Sequence, residues 1–211
     1  MKTVVQKDNA AIFPYIAYIP ENIGSHPALL LHLHGAGERG NGGADLPKVL
    51  VHGFPNIVND SNLKDCILVM PQCPSDTFWV ARLESLKAFL DEIVRQYEVD
   101  TARIYLCGLS MGGFGTWYMA MAYPELFAAI APCCGGGMAW NADVLKMPIW
   151  AFHGLEDLTV SPTQTREMVE RLRESNPQVK CDFYEGVGHD SWRRGFNEET
   201  LRWLLSQKKE T

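Results

Sequence analysis

The chain has 211 residues, of which 46% are apolar and 21% charged, with a formal charge of −6. That length suits a single domain, residues 1–211, with a sizeable core. An acidic balance without a long basic run argues against a nucleic-acid partner, and no uninterrupted apolar stretch reaches membrane-spanning length.

The start, Met1 to Asp8, lacks the apolar core of a signal peptide, so the expected location is cytoplasmic. Lys208-Lys209 reads as a solvated tail. None of the six cysteines forms a C-x-x-C pair, which leaves zinc and redox readings weak and free thiols the default. Cys66, Cys107 and Cys181 fall in apolar strand runs and read as small core residues.

In chain order, the first part is strand-like up to about Pro20, and Tyr15 to Ile19 is its strand. Pro27 to His34 is nearly all apolar, as a strand covered on both faces should be. It stops at a glycine-rich loop, Gly35 to Gly43. Cys66 to Pro71 is another buried strand. A helix follows with Leu83, Leu86, Leu90, Ile93, Val94 and Tyr97 on one face.

Ile104 to Cys107 is a strand, and Phe114, Trp117, Tyr118 and Met121 mark one face of the helix after it. Phe127 to Pro132 and Pro148 to His153 are two more strands. Ser161, Pro162 and Gln164 form a helix start with a capping box. Val179 to Glu185 is the last strand, and Asn197 begins the last helix. Alternating strands and helices predict a mostly parallel sheet with helices on both faces. The ligand site of such a sheet lies beyond the carboxyl ends of its strands.

Between the strand at 104 and its helix stands Gly108-Leu109-Ser110-Met111-Gly112, a G-x-S-x-G nucleophile elbow. The glycines remove side chains that would clash, and the serine hydroxyl stands clear of the sheet. A serine needs a base, an orienting group for that base, and donors for an oxyanion. His189, in a glycine-flanked loop after the last strand, is the base; His153 is its rival, with a structural role the better reading. Asp157 is the acid, with Glu156 beside it the alternative and Asp143 a poorer one because it precedes its strand. The oxyanion donors are the backbone N–H groups of Met111 and Ala36. Glu38 and Arg39 read as loop-holding charges. His32 and His34 lie on one strand face, but spacing supplies no third ligand, so no metal or cofactor is expected.

The segments His34 to Gly40, Gly108 to Gly113, His153-Gly154-x-x-Asp157-x-x-Val160 and Gly188-His189-x-x-Trp192 resemble the α/β-hydrolase superfamily. Within it they resemble the phospholipase/carboxylesterase-like group, and the feruloyl-esterase and polyhydroxybutyrate-depolymerase-like esterases in particular. The resemblance spans about residues 15 to 205. It implies a three-layer α/β-hydrolase fold, a Ser110, Asp157, His189 triad, and hydrolysis of a small-molecule ester through an acyl-enzyme. Many relatives insert a cap before the acid strand. Only Cys133 to Met147 fill that gap here, which leaves no room for a cap domain. Trp79, Met138, Trp140 and Trp192 are candidates to line the cleft, and an open, partly aromatic cleft favours small or aryl esters. A serine peptidase on this fold and a catalytically silent binding protein are the competing expectations. Oligomeric state is not legible.

Overall fold

The computed structural model describes residues 3–7 and 12–209; of the N-terminal stretch read above, Met1, Lys2 and Asp8 lie outside them. Eight strands form one sheet in the order β1-β2-β4-β3-β5-β6-β7-β8. They are β1 Thr3–Lys7, β2 Tyr15–Ile19, β3 Ala28–Leu33, β4 Cys66–Pro71, β5 Ile104–Leu109, β6 Ala129–Cys133, β7 Ile149–Gly154 and β8 Val179–Tyr184. Pairings from β3 to β8 are parallel, and β2 is antiparallel to both β1 and β4. The helices are α1 Asp60–Leu63, α2 Leu83–Gln96, α3 Met111–Ala122, α4 Thr163–Arg173, α5 Trp192–Gly195 and α6 Glu198–Ser206.

Every residue of β3, β4, β5 and β6 is buried. Alternate side chains of β3 serve opposite faces: Leu29, Leu31 and Leu33 join one core cluster with buried side chains of α2, α3 and α4, whereas Ala28 and Leu30 join another with those of α1 and α6. In α2, Leu86, Phe89, Leu90 and Ile93 make the buried stripe. Each such fully buried side chain contributes about 1.5–3 kcal/mol against exposure. Helices on both faces of a mostly parallel sheet give the α/β-hydrolase fold expected from the sequence.

β3 pairs with β4 on one side and with β5 on the other, so the chain winds outward from β3 in two directions. A crevice opens beyond the strand ends at such a reversal. The loop after β3 and the turn after β5 face each other across it. Between β6 and β7 a short 3-10 helix, Ala139–Val144, fills the gap.

Several local expectations change. Helix α3 is buried almost all round, including Gly112, Gly113, Thr116, Met119 and Ala120. Of the residues that share one face by periodicity, Trp117 and Met121 are buried, while Phe114 and Tyr118 are only half-buried. A helix with two covered sides has little contrast for periodicity to detect. No capping box forms at α4: Ser161 Oγ accepts from Thr163 N–H, while the Gln164 side chain packs on Gly136. Cys181 is half-buried on the outermost parallel strand. Lys209 is not a solvated tail; its ammonium donates to the carbonyls of Glu125 and Leu126. Among the described residues, no helix is long and apolar enough to cross a membrane.

Candidate active site

Ser110 joins β5 to α3 at φ 54°, a left-handed conformation that is costly for a serine. The turn survives because its surroundings fix it. A Cβ on Gly112 would lie 2.0 Å from the Leu33 carbonyl oxygen, and one on Gly108 would lie 2.3 Å from that of Gly112. Ser110 N–H donates to the Cys133 carbonyl at 3.0 Å, and Thr116 Oγ1 donates to Gly112 O at 2.8 Å. Strain at one residue is thus held by close packing of strand, turn and helix.

The Ser110 hydroxyl lies 2.8 Å from His189 Nε2, and His189 Nδ1 lies 2.7 Å from Asp157 Oδ2. These three residues come from the ends of β5, β7 and β8, brought together by the sheet. The Asp157 side chain is fully buried, and His189 is partly open. Asp157 Oδ1 accepts from the N–H groups of Thr159 and Val160. Burial alone would raise the Asp157 pKa. The hydrogen bonds from His189, Val160 and Thr159 outweigh it and hold the carboxyl below its ordinary value. Among the described residues, Cys134, Asp157 and His189 are the group whose metal-ligand atoms converge, and the last two already bond each other.

Met111 is the first residue of α3 and Ala36 the first of a 3-10 turn, Ala36–Glu38. Helix starts leave such N–H groups without internal partners and favour negative charge. Gly35 brings the two turns together: a Cβ there would lie 3.6 Å from Ser110 Cβ. The loop is held from behind. Gln72 Nε2 donates to the carbonyls of Glu38 and Asp45, and Gln72 Oε1 accepts from Gly42 N–H. Arg39 donates to the carbonyls of Ala36 and Thr77, as a loop-holding charge should. Glu38 differs: it is buried, its nearer oxygen is 3.9 Å from His52, and its Oε2 has no hydrogen-bond partner.

The alternatives are placed elsewhere. Glu156 is exposed, and Asp143 pairs with Arg171. His153 is fully buried behind Asp157, with Nε2 3.2 Å from Asp157 Oδ2. Burial lowers its pKa, against the pull of the Val160 carbonyl and Asp157. His32 and His34 do not converge on a common point. His34 uses both ring nitrogens, Nδ1 to Gly35 O at 2.6 Å and Nε2 from Cys73 N–H at 2.9 Å. His32 Nδ1 meets Cys107 Sγ, and its ring packs on Phe54 and Phe196.

Of the aromatic candidates, Trp192 packs edge-on to the His189 ring at 5.5 Å, and Trp140 is 77% exposed. Trp79 does not line the cleft. It is wholly buried against Phe13, and its indole N–H supports the loop after β3 by donating to His34 O. Met138 packs against the core. Sequence reading missed an apolar shelf of Phe78, Val80, Met111, Phe114 and Tyr118, an open hollow of about 390 Å³ next to the nucleophile turn. The one available signal was the half-buried pair Phe114 and Tyr118, four residues apart on α3.

The dienelactone hydrolase family matches residues 59–201. A bifunctional acetylxylan esterase/xylanase from Neocallimastix patriciarum is 27% identical over 169 residues, 74% of this chain and 23% of that protein. Feruloyl esterase B of Neurospora crassa is 28% identical over 139 residues, 58% of this chain and 46% of that protein. The chain therefore spans less than half the length of these curated relatives. Among solved structures, a thermostable esterase superposes with a TM-score of 0.82 at 30% identity, covering 99% of this chain and 63% of that one.

Proposed function

Because the chain belongs to the dienelactone hydrolase family, we propose that it is a serine carboxylesterase acting on small or aryl carboxylic esters through an acyl-enzyme on Ser110. The observation that carries this reading is the hydrogen-bonded series Ser110 Oγ, His189, Asp157, with contacts of 2.8 and 2.7 Å. In this reading His189 Nε2 takes the Ser110 proton as Oγ attacks the ester carbonyl carbon. The Met111 and Ala36 N–H groups receive the negative oxygen. The tetrahedral species collapses, and the alcohol leaves with the proton from His189. Water, deprotonated by His189, then releases the acid and restores Ser110. Asp157 stays ionised and stabilises the imidazolium formed at His189.

The shelf beside Met111 supports the aryl preference, since Phe78, Phe114 and Tyr118 offer flat apolar contacts within reach of an acyl or alcohol group. Relatives named for acetylxylan and feruloyl ester cleavage support ester chemistry of this kind.

The test is hydrolysis of acetyl, butyryl, octanoyl and feruloyl esters, with a peptide amide for contrast, by wild type and Ser110→Ala. The variant should lose at least about a thousandfold in rate, and a fluorophosphonate should label wild type only. A folded wild type that turns over no ester and takes no label would overturn the reading. Cleavage of the amide in preference to the esters would make the protein a peptidase.

A further inference from the structure

His153 is a buried titratable group beside the acid that the mechanism above leaves unused. Its side chain is wholly inaccessible, and both ring nitrogens have close oxygen neighbours. Nδ1 lies 2.7 Å from Thr165 Oγ1, which itself lies 2.7 Å from the Gly135 carbonyl oxygen. Nε2 lies 3.0 Å from the Val160 carbonyl oxygen and 3.2 Å from Asp157 Oδ2.

Counting protons over these contacts gives the charge at which every one of them is matched. The Thr165 hydroxyl has one proton, and the Gly135 carbonyl at 2.7 Å can only accept, so the Thr165–Gly135 bond forms only when that proton goes to Gly135. The Thr165 oxygen must then accept from Nδ1, which therefore carries a proton. On the other side of the ring, a carbonyl and a carboxylate can only accept, so Nε2 carries a proton as well. Neutral imidazole has a single N–H. A neutral ring leaves one contact unmatched: without a proton on Nε2 a lone pair faces oxygens at 3.0 and 3.2 Å, and without one on Nδ1 either that lone pair faces Thr165 Oγ1 at 2.7 Å or the Thr165–Gly135 bond is lost.

We propose that His153 is a positioning residue held as an imidazolium, which clamps Asp157 from the side opposite His189 and offsets the charge of its carboxylate. This rests on the roles given above to Ser110, His189 and Asp157. Burial opposes a charge on His153, but the buried Asp157 carboxylate beside it makes the pair neutral overall, and every polar atom is then matched. The titratable groups gathered here are Asp157, His189 across it, and the Cys133 and Cys134 thiols; Thr165 comes from α4, and Val160 and Gly135 supply only backbone oxygens.

The pair has a functional consequence. His189 faces a carboxylate already neutralised from behind, rather than a lone negative charge. Removing the charge on His153 would restore that lone negative charge beside His189.

Two measurements test this. The first needs no turnover, so its failure is separate from failure of the esterase reading. Nitrogen-15 NMR of the histidine rings at neutral pH should show protons on both nitrogens of His153, assigned by loss of the signals in His153→Gln. One proton only would overturn the proposal. The second is the pH dependence of ester turnover. Replacing His153 by neutral Gln removes the offsetting charge, so the acid limb of kcat/KM should move to higher pH by about one pH unit. Thr165→Val removes the acceptor at Nδ1 while keeping the fold's packing. It should move the limb the same way, which covers the case of His153→Gln failing to fold. A uniform fall in kcat with the acid limb unmoved would make His153 merely structural.

Discussion

Two His-Gly pairs end two strands of this sheet, and they have come to opposite arrangements. His34-Gly35 follows β3 on the side of Ala36, and His153-Gly154 closes β7 on the side of Asp157. Both imidazoles are buried, at 2% and 0% exposure. His34 meets one acceptor, Gly35 O, and one donor, Cys73 N–H, so a neutral ring with its proton on Nδ1 satisfies every contact. His153 meets acceptors at both nitrogens once Thr165 is committed to Gly135. The same dipeptide at the same kind of strand end is thus a neutral brace in one place and, in our proposal, a cation in the other. Neighbours far along the chain, Cys73 and Thr165, make the difference. The glycines diverge as well. A Cβ on Gly154 would lie 2.3 Å from the Val187 and Gly188 carbonyl oxygens, whereas one on Gly35 would meet only side chains, at 3.0 Å and beyond.

The strongest way to sharpen this contrast is acid. Burial pushes His34 down to about 4 and His32 to about 3, below the 6.5 of an unfolded chain. The unfolded state therefore binds more protons between those values. The stability these rings contribute is complete above about pH 6.5 and is lost as pH falls toward 4. For His34 alone the loss by pH 4.5 is about 2–3 kcal/mol. Urea midpoints at pH 7, 5.5 and 4.5 should fall steeply, and His34→Gln should flatten that slope by about one proton. A slope unchanged in the variant would mean that His34 is already charged in the fold, and the contrast with His153 would fail.

Gly154→Ala comes next. Its methyl would push the 187–188 backbone, which leads directly into His189. A displacement of the order of 1 Å at a catalytic group costs about a hundredfold in rate. The expected result is that loss in kcat/KM on a small ester, with circular dichroism still that of a folded chain. Activity within a few-fold of wild type would show that the loop absorbs the clash without moving the base.

What could be read from the chain follows the same divide between local and distant causes. The elbow was legible because its constraint is local: strand, Gly108, Ser110, Gly112 and helix are contiguous, and steric exclusion demands those glycines there. Asp157 and His189 were legible as polar residues just past strand ends, where this sheet opens its crevice. Trp79 was misread because its cover comes from Phe13 and from helices around it, and a tryptophan in a loop looks the same whether covered or open. Periodicity groups Phe114 and Tyr118 with the buried Trp117 and Met121 because α3 is apolar on nearly every side. Which apolar flank faces the shelf depends on Phe78 and Val80, more than thirty residues earlier. The charge on His153 was illegible for the same reason: it is set by an inventory of protons contributed by four separate segments.

The smallest effect gives the finest test of the comparison. Gly35 has φ −78° and ψ −176°, an extended conformation open to any residue, so alanine brings no backbone strain. Its methyl would press on Leu109 Cδ1 at 3.0 Å, Glu38 Oε2 at 3.1 Å and Ser110 Cβ at 3.6 Å. The first two are ends of side chains and can swing by a few tenths of an ångström; the third is ordinary contact. Gly35→Ala should therefore change stability by no more than about 1 kcal/mol and lower ester turnover by less than about tenfold, with the loss in kcat rather than KM because the oxyanion donors shift slightly. Thermal unfolding and initial rates on one ester decide it. If this variant loses as much as Gly154→Ala, the Glu38 carboxylate is wedged as firmly as backbone, and the oxyanion side is no softer than the acid side. If it loses almost nothing, the nucleophile turn is held by Gly108 and Gly112 alone, and the first His-Gly pair serves the loop rather than the serine.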